Sequence, residues 1–195
     1  MITFNKHIPA VVDVETTGLI LGYNEIVQVA VLPLDDNLNP IDISPFNLRI
    51  CPSYPERAHP TAMRINGLKM DDLMKCPTQA QAADIFMEWV ESLNIPLGKR
   101  LIPICHNGQF DVPMMKVWLG IEAYESVFAR RGRDTMHMAL TINDQHAWKA
   151  RPIPFSNVSL ASLCNHFGIT NDGAHDALVD VIRTAKIYRE LCRYE

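Results

Sequence analysis

The stretch PAVVDVETTGL, residues 9–19, decides the fold prediction, because it joins a valine-rich segment, two acids and a tight turn. The valines are typical of a buried strand that starts after Pro9. Side chains alternate between the faces of a strand, so Asp13 and Glu15 project to the same side. Two carboxylates fixed together on a buried strand repel each other and are costly to desolvate. A strand end where both acids reach water is the simpler alternative. The small, donor-rich turn at residues 16–18 favours close approach by a ligand instead.

Strands dominate the first part of the chain, and helices are interleaved later. Further strands are predicted in EIVQVAVLPL (25–34), FNLRIC (46–51) and RLIPICH (100–106), with an irregular loop over residues 52–60. This pattern predicts an α/β or α+β sandwich, in which helices pack on the faces of one mixed sheet, and we take α/β as the fold class.

The clearest helix is PTQAQAADIFMEWVESL (77–93), where Thr78 and Gln81 match a capping box. Its predicted apolar stripe consists of Ile85, Phe86, Trp89, Val90 and Leu93. Other helices are predicted from about Asp111, over residues 156–167 with Gly168 as a C-terminal cap, and from near Asp176 to the C-terminus. In the last of these, one apolar side is predicted to hold Leu178, Val181, Ile182, Ala185 and Leu191.

The size of the chain, 195 residues, fits a single domain over residues 1–195. A hydrophobic content of 48% and a charged content of 21% are typical of a soluble globular protein. The sequence has neither an apolar run long enough to span a bilayer nor a signal-peptide core, so we expect a cytoplasmic protein with no membrane contact. The five cysteines are odd in number and widely spaced, which argues against disulfides and structural zinc.

The net charge of −4 disfavours a protein that coats duplex DNA. A protein that grips only a strand end can be acidic, because bound divalent cations supply positive charge where the phosphate sits. Arg130, Arg131 and Arg133 form a local basic cluster that could touch a phosphate backbone. A solvated charge run is an equally good interpretation of that cluster.

A third acid, Asp111 in HNGQFDVPMM, stands at a predicted strand-to-helix junction with Pro113 in a first-turn position. Asp111 could simply cap the helix. However, His106, Asn107 and Gly108 make a polar turn at the end of an apolar strand, where binding sites of open α/β sheets tend to lie.

The fourth acid, Asp180, falls inside the last helix among apolar residues, so it should face a partner or a metal. Asp176, one turn earlier, is an alternative ligand, although it also suits the first turn as a complement to the helix dipole. His175 follows NDGA (171–174), and a histidine on a loop beside a metal-facing acid is a credible general base.

Carboxylate oxygens without clustered His or Cys favour Mg²⁺ or Mn²⁺ over zinc. Two such ions, roughly 3.5–4 Å apart, can clamp the attacking and leaving oxygens of a phosphoryl displacement. The sequence therefore predicts two ions per active site held by four carboxylates, with His175 taking a proton from the attacking water.

Taken together, these motifs resemble the DEDDh 3′–5′ exonucleases of the ribonuclease H-like superfamily, which include proofreading epsilon subunits, ribonuclease T and oligoribonuclease. The resemblance runs from Val11 to about Tyr188 and includes INGL (65–68), RDTMHMAL (133–140), LASLCNHFGI (160–169) and AHDALVDVIRTAKIY (174–188). It implies a ribonuclease H-like fold, His175 as the base, and a set of metal ligands consisting of Asp13, Glu15, Asp111 and Asp180. It also implies contacts to the 3′-terminal nucleotide from Thr16, Thr17, Gly18, Leu19 (as a wedge against the base), Asn66, Asn107 and Phe110.

The function predicted from this resemblance is a metal-dependent 3′–5′ exonuclease that releases nucleoside monophosphates, with single-stranded DNA as the favoured substrate. Proofreading would then need a polymerase partner. An exoribonuclease acting on RNA 3′ ends is the alternative within the same chemistry. A non-catalytic, polymerase-associated binding module and a metal-dependent endonuclease are alternatives of other classes, and the intact catalytic set disfavours the binding module.

Overall fold

A computed structural model describes residues 7–170, 173 and 175–194. One five-stranded sheet forms the centre, with the strand order β3-β2-β1-β4-β5. Its strands are β1 (Ile8–Thr16), β2 (Ile26–Pro33), β3 (Phe46–Arg49), β4 (Leu101–Cys105) and β5 (Arg133–Asp134). The strands β1, β2 and β3 pair antiparallel, whereas β4 runs parallel to β1 and β5 runs parallel to β4. The predicted mixed sheet is confirmed.

Helices cover both faces of this sheet. They are α1 (Pro60–Asn66), α2 (Met70–Leu73), α3 (Gln79–Ser92), α4 (Gly108–Leu119), α5 (Ile121–Val127), α6 (Thr135–Trp148), α7 (Leu160–His166) and α8 (Ala177–Leu191). On one face, α3, α4 and α5 bury a core against Val12 and Val14 of β1. On the other face, α8 packs against Val11. The alternation of β1 therefore directs Asp13 and Glu15 to the α8 face.

The four predicted strands are confirmed, although β1 begins at Ile8 and not after Pro9. The capping box of α3 is also confirmed, since the Thr78 side chain accepts from Gln81 N and the Gln81 side chain accepts from Thr78 N. The predicted apolar stripes of two helices each include a residue that is exposed in the structure. Ile85 in α3 and Ile182 in α8 are each 39% exposed, because helices at the edge of a core bury only part of their apolar face.

Several boundaries also differ from the prediction. The helix expected from Asp111 begins at Gly108, so Pro113 lies inside the helix and not in its first turn. The loop predicted over residues 52–60 contains a 3₁₀ turn, Pro55–Arg57. Four helices were not predicted, because their apolar residues are few or irregularly spaced: α1, α2, α5 and α6.

The helix predicted over residues 156–167 is shorter and starts after Ser159, which accepts from Ser162 N. Gly168 follows it at φ +65°, as a C-terminal cap requires. Most of the NDGA stretch before His175 lies outside the described residues, as do residues 1–6 and 195. Among the helices that the structure describes, none has the length and apolar character needed to cross a membrane.

Candidate active site

The candidate site begins at the carboxyl end of β1, where Asp13 and Glu15 are each partly buried. Across the antiparallel pair, Asp13 lies opposite Ala30 and Glu15 opposite Gln28. The register shifts between Glu15 and the next residue. Such an irregularity changes the direction of the side chains next to it, and here it lies at the last residue of β1.

Asp111 reaches the same strand from the first turn of α4 and is only 4% exposed. One of its oxygens, Oδ1, accepts a hydrogen bond from Val14 N at 3.1 Å. Val14 stands between Asp13 and Glu15, so this bond brings the third carboxylate beside the first two. Asp111 thus contacts the sheet directly and does more than cap its own helix.

Asp180 comes from the first turn of α8 and is 6% exposed. Its Oδ1 accepts from Arg183 Nη1 at 2.7 Å, and its Oδ2 accepts from His175 N at 3.1 Å. Asp176, the alternative ligand, caps α8 by accepting from Leu178 N.

His175 lies just before α8 at φ +66° and is exposed. Donor atoms of Glu15, His175 and Asp180 all lie within 4.8 Å of one another, as a metal site requires. The structure therefore brings the histidine onto the acidic cluster, although a long stretch of chain separates it from β1.

The carboxylates of this cluster strongly influence one another. Burial and then the charges of Asp111, Glu15 and Asp180 raise the pKa of Asp13 well above its usual range. Burial and then the charges of Asp180 and Asp111 raise the pKa of Glu15 to about 8. The pKa of Asp111 rises to about 7, mainly through burial, against the lowering effect of the Val14 N–H. A cation in their midst would stabilise all of the ionised forms.

The turn after β1 is held mainly by its own hydrogen bonds. The Thr16 hydroxyl bonds to Gly18 O at 2.6 Å, and the Thr17 hydroxyl accepts from Glu25 N at 2.9 Å. A Cβ added at Gly18 would lie 2.6 Å from Asn24 Oδ1, so a glycine at this position permits the close approach of the Asn24 side chain. Thr16, Thr17 and Gly18 are buried, whereas Leu19 is 80% exposed and provides the surface of the turn.

Of the other three predicted contact residues, Asn66 contacts this turn, whereas Asn107 and Phe110 lie at the start of α4. Asn66 is buried, and its Nδ2 donates to Thr16 O at 3.2 Å. Asn107 adopts φ +70° at the start of α4, and Phe110 is partly buried against the core beside Asp111.

Two residues that support the cluster were missed from the sequence. Arg183 is buried and pairs with Asp180, and its position three residues later in a helix was the available signal. Asp134 accepts from Gly108 N at 2.7 Å and from Met136 N at 2.9 Å, so it joins the starts of α4 and α6. In the basic cluster, Arg130 pairs with Glu125 at 3.0 Å.

Curated relatives match most of the chain. A ribonuclease T from Photobacterium profundum is 27% identical over 197 residues, which cover 96% of this chain and 83% of the relative. The DNA polymerase III subunit epsilon of Escherichia coli is 26% identical over 131 residues, which cover 66% of this chain and 48% of that subunit.

Solved structures share the fold. The zinc-bound form of the E. coli ExoI–ssDNA complex matches with a TM-score of 0.75 at 18% identity over 97% of this chain. The chain spans 41% of that exonuclease. The nuclease domain of 3′hExo, a DEDDh family member solved with bound rAMP, matches with a TM-score of 0.70 at 14% identity, covering 95% of this chain and 92% of that domain.

The mixed sheet and its flanking helices have the fold of these solved exonucleases. The chain belongs to the RNase T exonuclease family, whose model matches residues 10–188.

Proposed function

We propose that this protein hydrolyses the terminal phosphodiester bond at the 3′ end of single-stranded DNA. In that reaction water attacks phosphorus, the bond to the preceding 3′ oxygen breaks, and a nucleoside 5′-monophosphate leaves. The observation that carries the proposal is the convergence of four carboxylates, as the Val14–Asp111 bond and the short distances between Glu15 and Asp180 donor atoms support. Burial raises the pKa values of Asp13, Glu15 and Asp111, and the neighbouring carboxylates raise those of Asp13 and Glu15 further.

The donor set fits divalent cations. Asp13, Glu15, Asp111 and Asp180 supply only oxygen atoms, the ligands that Mg²⁺ and Mn²⁺ prefer. These residues would hold two ions, which would polarise the phosphate and lower the pKa of the attacking water. A histidine close to Glu15 and Asp180 does not weaken this fit, since His175 is exposed and free to act on a proton.

The remaining residues have separate roles in this proposal. His175 accepts the proton of the attacking water, because it lies on the exposed side of the cluster. Leu19 packs against the terminal base, and Asn107 and Phe110 border the nucleotide from α4. Thr16, Thr17, Gly18 and Asn66 border the terminal nucleotide and shape the turn that presents Leu19. The bonds of Thr16 to Gly18, of Asn66 to Thr16 and of Glu25 to Thr17 support this role. We also propose that residues 1–195 act as one exonuclease domain, because the helices that carry site residues, α1, α4 and α8, all pack against β1 of a single sheet.

The choice of DNA is supported by similar structures that were solved with single-stranded DNA. A second candidate is a 3′–5′ exoribonuclease, which the ribonuclease T relatives favour. The similarity to an epsilon subunit supports a polymerase partner for the DNA activity. The difference between the substrates is the 2′-hydroxyl.

The test compares matched single-stranded DNA and RNA oligonucleotides of one sequence, each with Mg²⁺, Mn²⁺ or EDTA. We expect metal-dependent release of mononucleotides, with a higher kcat/KM for DNA. A higher kcat/KM for RNA would replace DNA by RNA as the substrate. Release of no mononucleotide from either substrate by the folded protein would contradict the proposed activity.

A further inference from the structure

A second surface adjoins the turn after β1 and is not part of the acidic cluster. The carboxylate of Glu25 accepts from Ser53 N at 3.0 Å and from Tyr54 N at 2.8 Å. Asn24 Nδ2 donates to Arg57 O at 3.0 Å. These bonds fix the segment before α1 onto the loop that joins β1 to β2.

The segment and the loop place an arginine against two tyrosine rings. The guanidinium carbon of Arg57 lies 3.7 Å from the centroid of the Tyr54 ring and 5.0 Å from that of Tyr23. Both rings are nearly half exposed, at 46% and 47%. We call these three residues the Tyr–Arg–Tyr platform. Cation–π contacts hold it in place without covering the outer ring surfaces.

Arg57 is not within salt-bridge distance of the Glu25 carboxylate, which is held by the backbone of Ser53 and Tyr54. Within the described part of the chain, no carboxylate pairs with Arg57, although the protein carries a net charge of −4. A weakly hydrated guanidinium held on an aromatic surface suits a phosphate group, which it can bind by two parallel hydrogen bonds.

The platform also borders a cavity of about 250 Å³. The floor of this cavity includes Met114 and Val117 of α4. Phe110, Met114 and Val117 are spaced four and three residues apart, so they lie along one face of that helix. This face leads from the position beside Asp111 to the cavity, over about 10 Å at 1.5 Å per residue.

We propose that the Tyr–Arg–Tyr platform and this cavity bind a nucleotide on the 5′ side of the 3′-terminal one in a single strand. The inference rests on the proposed function, since it extends the same substrate away from the acidic cluster. One base stacks on an exposed tyrosine face, and Arg57 contacts the phosphate on its 5′ side. Stacking of this kind tolerates any base, so the platform contributes affinity for a strand without sequence preference.

The test measures kcat/KM for two substrates with and without a preceding nucleotide. One is dT12; the other is the p-nitrophenyl ester of thymidine 5′-monophosphate, which carries a single nucleotide. In Tyr54→Ala and Arg57→Gln, we expect the ratio of kcat/KM for dT12 to that for the ester to fall about 5- to 100-fold, the range of one lost stacking contact. Tyr54→Phe keeps the ring and should restore the ratio. Trp148→Ala, which removes an aromatic side chain that is 91% exposed at the end of α6, is the control.

Failure of the platform and failure of the proposed function give different results. A ratio equal to that of the wild type in both variants would overturn the platform while leaving the exonuclease intact. If the wild type cleaved neither substrate, the proposed function would fail. Fluorescence anisotropy of labelled dT12 in EDTA would then test binding at the platform independently of catalysis. Weaker binding in Arg57→Gln would support the platform, and equal or undetectable binding in all proteins would overturn it.

Discussion

Arg183 and Asp180 lie one turn apart in α8 and form a buried ion pair, with Nη1 2.7 Å from Oδ1. Arg183 Nε also donates to Thr170 O at 3.2 Å, and the second oxygen of Asp180 accepts from His175 N. The pair therefore ties both ends of the segment that carries His175 to α8. This connection makes the position of the candidate base depend on a residue outside the acidic cluster.

Replacing Arg183 should destabilise the protein strongly. In Arg183→Met the carboxylate of Asp180 stays buried without its partner, and such changes cost about 3–5 kcal/mol. Urea unfolding in EDTA measures the loss. Lys186→Met, at an exposed position of the same helix, should change the free energy of unfolding by at most about 0.5 kcal/mol. Similar values for the two variants would show that the ion pair is not important for the fold.

The assignment of Asp180 rather than Asp176 as a ligand can be tested directly. Asp13→Asn and Asp180→Asn should each lower kcat by about 1000-fold or more, because bound metal ions lower the activation barrier by several kcal/mol. Asp176→Asn should keep most of the activity, since Asn also caps helices well. Kinetics with saturating Mg²⁺ provide the comparison. A large loss in Asp176→Asn with little loss in Asp180→Asn would reverse the assignment.

His175 should affect turnover more than substrate binding. If it accepts the proton of the attacking water, His175→Ala should lower kcat by roughly 10²–10⁴-fold. Binding of labelled dT12 in EDTA should change far less, and this split separates a role in proton transfer from general damage to the site. An unchanged kcat would exclude His175 as the base.

The stability of the metal-free protein should depend on pH. The pKa values of Glu15, about 8, and Asp111, about 7, exceed their ordinary values of roughly 4.3 and 3.9. The folded protein then binds more protons than the unfolded chain, so its stability falls as the pH rises from about 4 to about 8.

Thermal unfolding at several pH values in EDTA and in Mg²⁺ tests this expectation. The Tm in EDTA should fall toward pH 8, and Mg²⁺ should restore it because the ion binds only the ionised carboxylates. Glu15→Gln should flatten the fall in EDTA. A wild type and a Glu15→Gln variant with the same pH dependence would argue against the raised pKa.

The sequence was most informative for features that depend only on residues close together within one strand or helix. Alternation in β1 predicted that Asp13 and Glu15 share a face, and the α3 capping box was visible as Thr78 and Gln81. By contrast, the bond from Val14 N to Asp111 depends on how α4 packs on β1. No spacing within either segment contains that information.

The remaining differences have the same origin. Asp180 was expected to need a partner, but whether Arg183 would turn inward depended on the packing of α8. At Gly18, the packing of Asn24 from the far end of the loop against the position of a Cβ could not be predicted from the turn itself. The Tyr–Arg–Tyr platform joins two loops and has no signature in either one.

The most direct test of the central claim, metal-dependent removal of nucleotides from a 3′ end, uses one DNA oligonucleotide labelled in two ways. With Mg²⁺, a 3′-terminal label should be released at once as a mononucleotide, while a 5′ label should pass through a ladder of shortening strands. EDTA and the Asp13→Asn variant should abolish both signals. Internal fragments that appear before the terminal label is lost, or cleavage that persists in Asp13→Asn, would contradict the account.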